Sequence, residues 1–319
     1  MTQESSQEPV KKSLFEQAFR FIRPALFVVG VILFVYLIRR VGVSALADIV
    51  SHLSPAWVAI SLVFWAINIM VASVRFQSLA APELPYPKVV EVVMGGYLLN
   101  YASMAQGLGI GAKVMLMKGH RVPVSRSIAG AGGEVILDLF FTGMVTLVFI
   151  GAAGFGKSGS VSIHPKSLLM IVVFMVVFGI IFLIFARYSG YLTKVLDGFK
   201  SAFALARLPL NLITTAALWT AGAASYYCMI RAAGYDVPPL LTLAALAVGF
   251  VVGFVSLVPG GLGVRDVTWA YVCSAAGIPF SVTGTAALAM RFMGIASVAL
   301  VLGVWSLIER VSRNDSRTD

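Results

Sequence analysis

The residues able to do chemistry in this sequence are ionisable groups set inside long apolar runs. Glu134 and Asp138 stand four apart in the run from Ile128 to Gly151. That spacing puts both carboxylates on one face of a helix. Arg291 stands at a similar depth in the run from Val282 to Ile308. A charged side chain at the bilayer centre costs about 2.5–3.5 kcal/mol on the insertion scale, so such groups mark pairs or polar pathways. We expect Glu134 or Asp138 to face Arg291 across a polar cavity. The set reads as a lipid-headgroup or proton-coupled site, or else as a structural ion pair that holds two halves of the molecule together. Buried pairs often add little net stability.

Two glycine-rich stretches accompany these charges. The first carries Gly107, Gly109 and Gly111; the second carries Pro259, Gly260, Gly261 and Gly263. They are expected to shape loops at membrane depth. Irregular backbone is tolerated there only where protein or a water-filled cavity satisfies it. Helix ends at such a break leave N–H groups that suit an anionic headgroup. Arg265 and Asp266 follow the second stretch, where they either bind and gate a phosphate or sit at the water interface. Lys113 follows the first and, like Arg121, reads chiefly as a determinant of orientation, with headgroup capture as its second use. Arg75 follows an apolar run and reads as a snorkelling anchor.

The elements that must position these groups are helices in a membrane. The chain has 319 residues, 59% hydrophobic and only 12% charged. A soluble domain carries roughly 25% charged residues, so too few polar side chains remain to cover a soluble surface. The net charge of +10 falls in short loops between apolar runs, which is how membrane proteins hold their orientation, and not as a nucleic-acid patch. Cys228 and Cys273 form no CxxC pair, and His52, His120 and His164 lack metal-ligand spacing. No metal or cofactor is expected. No nucleophile–base pair stands out, so an enzymatic role is not expected.

A spanning helix needs about 20 apolar residues. The runs are Pro24–Ile38, Ala56–Val74, Val89–Ala105, Ile128–Gly151, Leu168–Ala186, Leu210–Ile230, Leu240–Val258 and Val282–Ile308. Residues 11–23 read as an amphipathic helix on the membrane surface, with Leu14, Phe15, Ala18, Phe19 and Ile22 on one face. Residues 1–23 are then a cytoplasmic tail and interfacial helix, 24–310 one membrane domain, and 311–319 a polar tail.

The two glycine-rich stretches also resemble each other. With one gap, Gly96 matches Gly249, Ser103 matches Ser256, Gly107 matches Gly260 and Gly109 matches Gly263. A duplication explains this, with halves of roughly 24–151 and 167–310. Eight crossings with the N-terminus inside would put Lys113, Lys118, Arg121 and Arg126 outside, together with Arg187, Lys194, Lys200 and Arg207. That inverts the positive-inside bias. The bias is satisfied if each glycine-rich element enters the membrane and returns to the same side, the two from opposite faces. The expected fold is therefore an all-α polytopic membrane protein. It has about six spanning helices, two opposed re-entrant glycine-rich hairpins and an inverted repeat, with eight spanning helices as the alternative.

The segment Pro259-Gly260-Gly261-Leu262-Gly263-Val264-Arg265-Asp266 resembles the Pro-Gly-Gly-Leu-Gly-Val-x-Glu signature of the lysylphosphatidylglycerol synthase transmembrane-region, or flippase-like, family. Asp266 stands where glutamate is usual. The stretch from Gln106 to Lys113, and Glu134 with Asp138, look like the family's earlier glycine-rich loop and the acidic helix after it. Gln106 takes the place of the usual leading proline. Arg291 resembles the arginine after the second loop. The resemblance covers roughly residues 20–310. It implies an integral inner-membrane protein related to lipid translocation; the charge bias places both termini in the cytoplasm. Aminoacylating members carry a separate soluble domain, and their aminoacyl transfer is not expected of this chain.

The expected function is movement of an anionic, amino- or isoprenoid-type lipid across the inner membrane. The alternative is a non-transporting partner of a lipid-modifying or lipid-biosynthetic enzyme. No ATP-binding P-loop occurs, so any drive is an ion gradient, the membrane potential or mass action. The expected partner is membrane lipid, not nucleic acid.

Overall fold

A computed structural model of the chain describes residues 14–103, 106–155, 204, 206–256, 258 and 261–315. Among the described residues the regular structure is entirely helical. The helices are α1 (Leu14–Val41), α2 (Val43–Ser51), α3 (Pro55–Ala80), α4 (Tyr86–Ser103), α5 (Gln106–Gly119) and α6 (Val124–Phe155). They continue as α7 (Leu208–Ala232), α8 (Pro239–Val255), α9 (Val264–Ala275) and α10 (Phe280–Asp315). The run Leu168–Ala186, the tail before residue 14, Pro259 and Gly260 lie outside the described residues.

Three described helices are long and apolar enough to cross a membrane: 55–80, 124–149 and 280–304. A fourth candidate is the pair α1–α2, bent by 70°. Gly42 sits at the bend with φ +82°, a conformation glycine adopts without steric cost. From Leu14 onward the amphipathic stretch is continuous with the first apolar run in α1, and α10 runs to Asp315, into the expected polar tail. Proline opens α3, α7 and α8 within their first two positions, where its missing N–H is not needed.

The helix order repeats. A long helix, a hairpin of two shorter helices and another long helix occupy α3–α6, and the same order returns in α7–α10. The equivalent helices α3 and α7 pack against each other in opposite directions. Ser61 Oγ lies 2.9 Å from Ser225 Oγ, Asn68 Nδ2 donates to the Leu218 carbonyl at 2.6 Å, and Arg75 Nη1 donates to Thr215 Oγ1 at 3.2 Å. As the α3 number rises, the α7 number falls.

Further contacts fix which loops share an end. Arg126 pairs with Glu83 at 2.5 Å, so the loop before α4 and the start of α6 lie together. Arg207 Nη1 donates to the Ser78 carbonyl at 3.1 Å, bringing the start of α7 to that same end. At the other end of α3, Ser54 N–H donates to the Ala232 carbonyl at 2.9 Å. The α4–α5 hairpin therefore opens at the C-terminal end of α3. The α8–α9 hairpin follows the C-terminus of α7 and opens at the opposite end.

Glycine lets the two arms of each hairpin touch. A Cβ on Gly109 would lie 2.7 Å from the Gly96 carbonyl, and one on Gly249 would lie 3.0 Å from the Arg265 carbonyl. This corrects the expectation for the first stretch. Gly107, Gly109 and Gly111 do not shape a loop; they lie inside α5, which begins at Gln106. Gly109 serves backbone approach, and a side chain at Gly111 would meet nothing within 4 Å. In the second stretch Gly261 and Gly263 precede α9 with φ +61° and +71°.

Candidate functional site

The interior of the bundle holds a charged network centred on Arg75. The α3 helix runs past the end of its apolar run at Val74 to Ala80, so Arg75 sits well inside it and its side chain is only 3% exposed. Its guanidinium grips Asp138 of α6 through both oxygens, at 2.6 Å and 3.2 Å. Its Nη2 lies 3.6 Å from Glu134 Oε1. Trp219 Nε1 of α7 donates to Asp138 Oδ1 at 2.9 Å. Lys113 of α5 donates to Glu134 Oε2 at 2.8 Å, with its ammonium 4.7 Å from the Phe76 ring centroid. Bidentate arginine–carboxylate pairing and satisfied lone pairs are what let charges persist in a low-dielectric interior.

This network forms one wall of a cavity of about 140 Å³. Both halves of the chain line it. The first half supplies Trp65, Asn100, Tyr101 and Lys113; the second supplies Trp219, Phe250 and Arg265. Such a volume exceeds what one water needs, roughly 10–15 Å³, so a small polar group fits. Tyr97 and Tyr101 stack at 6.2 Å and Trp65 follows at 6.0 Å, giving an aromatic wall. Some buried polar atoms here make no hydrogen bond: Trp65 Nε1, Arg75 Nε, Glu134 Oε1 and Arg265 Nε.

Arg291 is placed elsewhere. It pairs with Asp266 of α9, Nε at 3.0 Å and Nη2 at 2.5 Å from Oδ2, and lies over the Phe34 ring of α1 at 5.7 Å. The expected facing of Glu134 or Asp138 with Arg291 is therefore wrong. The reason is packing: α10 meets the second hairpin, and the acid nearest to Arg291 is on that hairpin. Asp266 also accepts from the Gly263 N–H at 3.3 Å, so it caps α9 while holding Arg291. Arg265 and Asp266, adjacent in sequence, point to different jobs: Arg265 lines the cavity and Asp266 does not.

Of the expected site residues, Glu134, Asp138, Lys113 and Arg265 come together at the cavity, while Arg291 and Asp266 form a separate pair. The network's centre, Arg75, is not the expected snorkelling anchor: its side chain is buried, and Thr215 and Trp219 of α7 join the network by hydrogen bonds. A signal for Arg75 does exist in the sequence. Ser61, Asn68 and Arg75 recur every seven residues, which puts them along one helix face. All three are buried.

Comparison with known proteins adds the lineage. The family described as "Lysylphosphatidylglycerol synthase TM region" matches residues 22–303. The chain belongs to this family. The matched span begins in α1 and ends in α10, and so contains every residue of the cavity wall. No curated protein and no solved structure matches the chain. As a member of the lysylphosphatidylglycerol synthase TM-region family it is a multi-pass, helical membrane protein.

Proposed function

We propose that this member of the family is a flippase-like lipid translocator of the inner membrane, with both termini cytoplasmic. A charged headgroup passes through the cavity while the acyl chains stay in lipid. The observation that carries this reading is the cavity itself: a polar chamber inside an apolar helix bundle, walled by both halves of a repeat and holding buried polar atoms that make no hydrogen bond.

The hairpins support it. At a rise of about 1.5 Å per residue, α5 and α9 span only about 21 Å and 18 Å, short of a hydrocarbon core near 30 Å. Each hairpin also opens at the end opposite to the other. The proposed topology is six crossings and two re-entrant hairpins, one from each face. The antiparallel pairing of α3 with α7 suits an inverted repeat, in which rocking of one half against the other exposes a midplane site to each side in turn. The chain acts as a transporter, not as an enzyme, and draws on a gradient or mass action.

Reconstitution tests the reading. Vesicles holding the purified chain and a trace of acyl-chain fluorescent lipid should lose to an impermeant quencher the inner-leaflet fluorescence that protein-free vesicles retain. Rates equal to those of empty vesicles, with a lipid enzyme co-purifying, would favour the role of a non-transporting partner instead.

A further inference from the structure

The charges lining the cavity do not cancel. Among the described residues, Arg75, Lys113 and Arg265 stand against Glu134 and Asp138. Both carboxylates are engaged. Asp138 accepts from Arg75 and Trp219; Glu134 accepts from Lys113 and sits beside Arg75. Arg265 has no carboxylate partner among the described residues. Its sequence neighbour Asp266 is held by Arg291 and the Gly263 N–H. One positive charge is left over in a low-dielectric chamber, where unpaired charge is costly.

That charge is held in place. A Cβ on Gly253 would lie 3.3 Å from the Arg265 Cβ, and one on Gly261 would lie 3.4 Å from it. Two glycines thus close around the root of this side chain. Its guanidinium lies 5.9 Å from the Phe250 ring centroid, and its Nε is buried without an acceptor. A second donor in the same chamber is also unused. Trp65 is only 7% exposed, and its Nε1–H has no acceptor. Two fixed N–H donors and one uncancelled charge suit a single acceptor of charge −1. A dianion such as sulfate would reverse the imbalance and set negative charge against Glu134 and Asp138. The rings of Tyr97, Tyr101 and Phe250 form much of the wall, and ring edges carry partial positive charge.

We infer that the cavity is also a site for a small monovalent inorganic anion, a halide, held by Arg265 and Trp65. The ion neutralises the chamber and so stabilises the bundle. This assignment stands on the unused donors and the charge balance and does not require that lipid moves.

The test uses the full chain in detergent, purified in sodium gluconate. Chloride added to it should show a nuclear resonance broadened beyond that in protein-free micelles. Bromide should remove the broadening by displacement, and sulfate at equal ionic strength should not. The wild-type protein should also melt at a higher temperature in chloride than in gluconate of the same ionic strength, as for any ligand that binds only the folded state. Arg265→Gln should abolish both effects. Trp65→Phe should weaken chloride binding by about ten-fold, the loss of one hydrogen bond to a charged group. Lys118→Gln, at an exposed cation outside the cavity, should leave binding unchanged. No broadening in the wild type, or broadening that sulfate removes as well as bromide does, would overturn the site without any variant having to fold. So would broadening that persists in a folded Arg265→Gln protein. Lipid movement is read separately in vesicles, so failure of the anion site and failure of translocation are told apart.

Discussion

Lys113 and Glu134 meet at 2.8 Å across the first hairpin and the helix that follows it, and Asp266 and Arg291 repeat that contact in the second half with the charges exchanged. In each half the second arm of a glycine-packed hairpin is pinned to the next long helix by one ion pair. The halves differ in what surrounds the pin: the first faces the cavity, and the second lies against Phe34 of α1.

Reversing a pin should therefore be tolerated better than breaking it. Lys113→Gln leaves Glu134 with Arg75 alone, and Arg291→Gln leaves Asp266 with only its cap. Each should lower stability by about 1–3 kcal/mol. The double exchange Lys113→Glu with Glu134→Lys should recover part of the loss, since the pair is re-formed. Thermal unfolding in detergent reads this. A double variant no more stable than the sum of its singles would mean that the pin contributes through shape and not charge.

Arg75 is buried and reaches two carboxylates, Asp138 and Glu134. Removing one partner of a buried pair costs about 3–5 kcal/mol because the other is left uncompensated. Arg75→Gln and Asp138→Asn should each destabilise on that scale, and Arg75→Met with Asp138→Leu should be milder than either. Melting curves of the three proteins decide it. A fully stable Arg75→Gln protein would show that the grip on Asp138 is dispensable.

Gly109 and Gly111 of α5, two residues apart, give a contrast within one turn. Gly109→Ala would drive a Cβ to 2.7 Å from the Gly96 carbonyl, whereas Gly111→Ala meets open space. The first should push the hairpin arms apart and destabilise. The second should be neutral or stabilising by up to about 1 kcal/mol, the helix preference of alanine over glycine. The two melting temperatures should move in opposite directions; a like shift would break the account of hairpin packing.

Sidedness follows from the ends that the loops share. Glu83→Cys and Arg126→Cys should label from one face of the membrane, and Asp236→Cys from the other. Cys228 and Cys273 are buried and give little background. Labelling of Glu83→Cys and Asp236→Cys from the same face would remove the opposed entry of the hairpins.

Much of the fold is legible in the sequence because its cause is local. Apolar runs give helices, proline opens them, and Gly42, Gly261 and Gly263 allow the positive φ at which chains turn. The matched glycines Gly96 and Gly249 are legible in the sequence, and they stand where hairpin arms touch: Gly96 against Gly109, and Gly249 against Arg265. The acidic pair Glu134 and Asp138 is legible for the same reason: helical spacing alone puts both on one face.

Which cation those acids meet is not local information. By itself the sequence determined a helical membrane chain with acids and bases set inside its apolar runs. Only the tertiary structure decided that Arg75, not Arg291, holds Asp138, that Asp266 turns from the cavity to cap α9 and bind Arg291, and that Arg265 is left facing the chamber. The reason is that charge partners in a bundle are chosen by helix neighbours and their register. Those are set by the packing of α3 on α7 and of each hairpin on its long helix, summed over contacts that no single stretch of sequence contains.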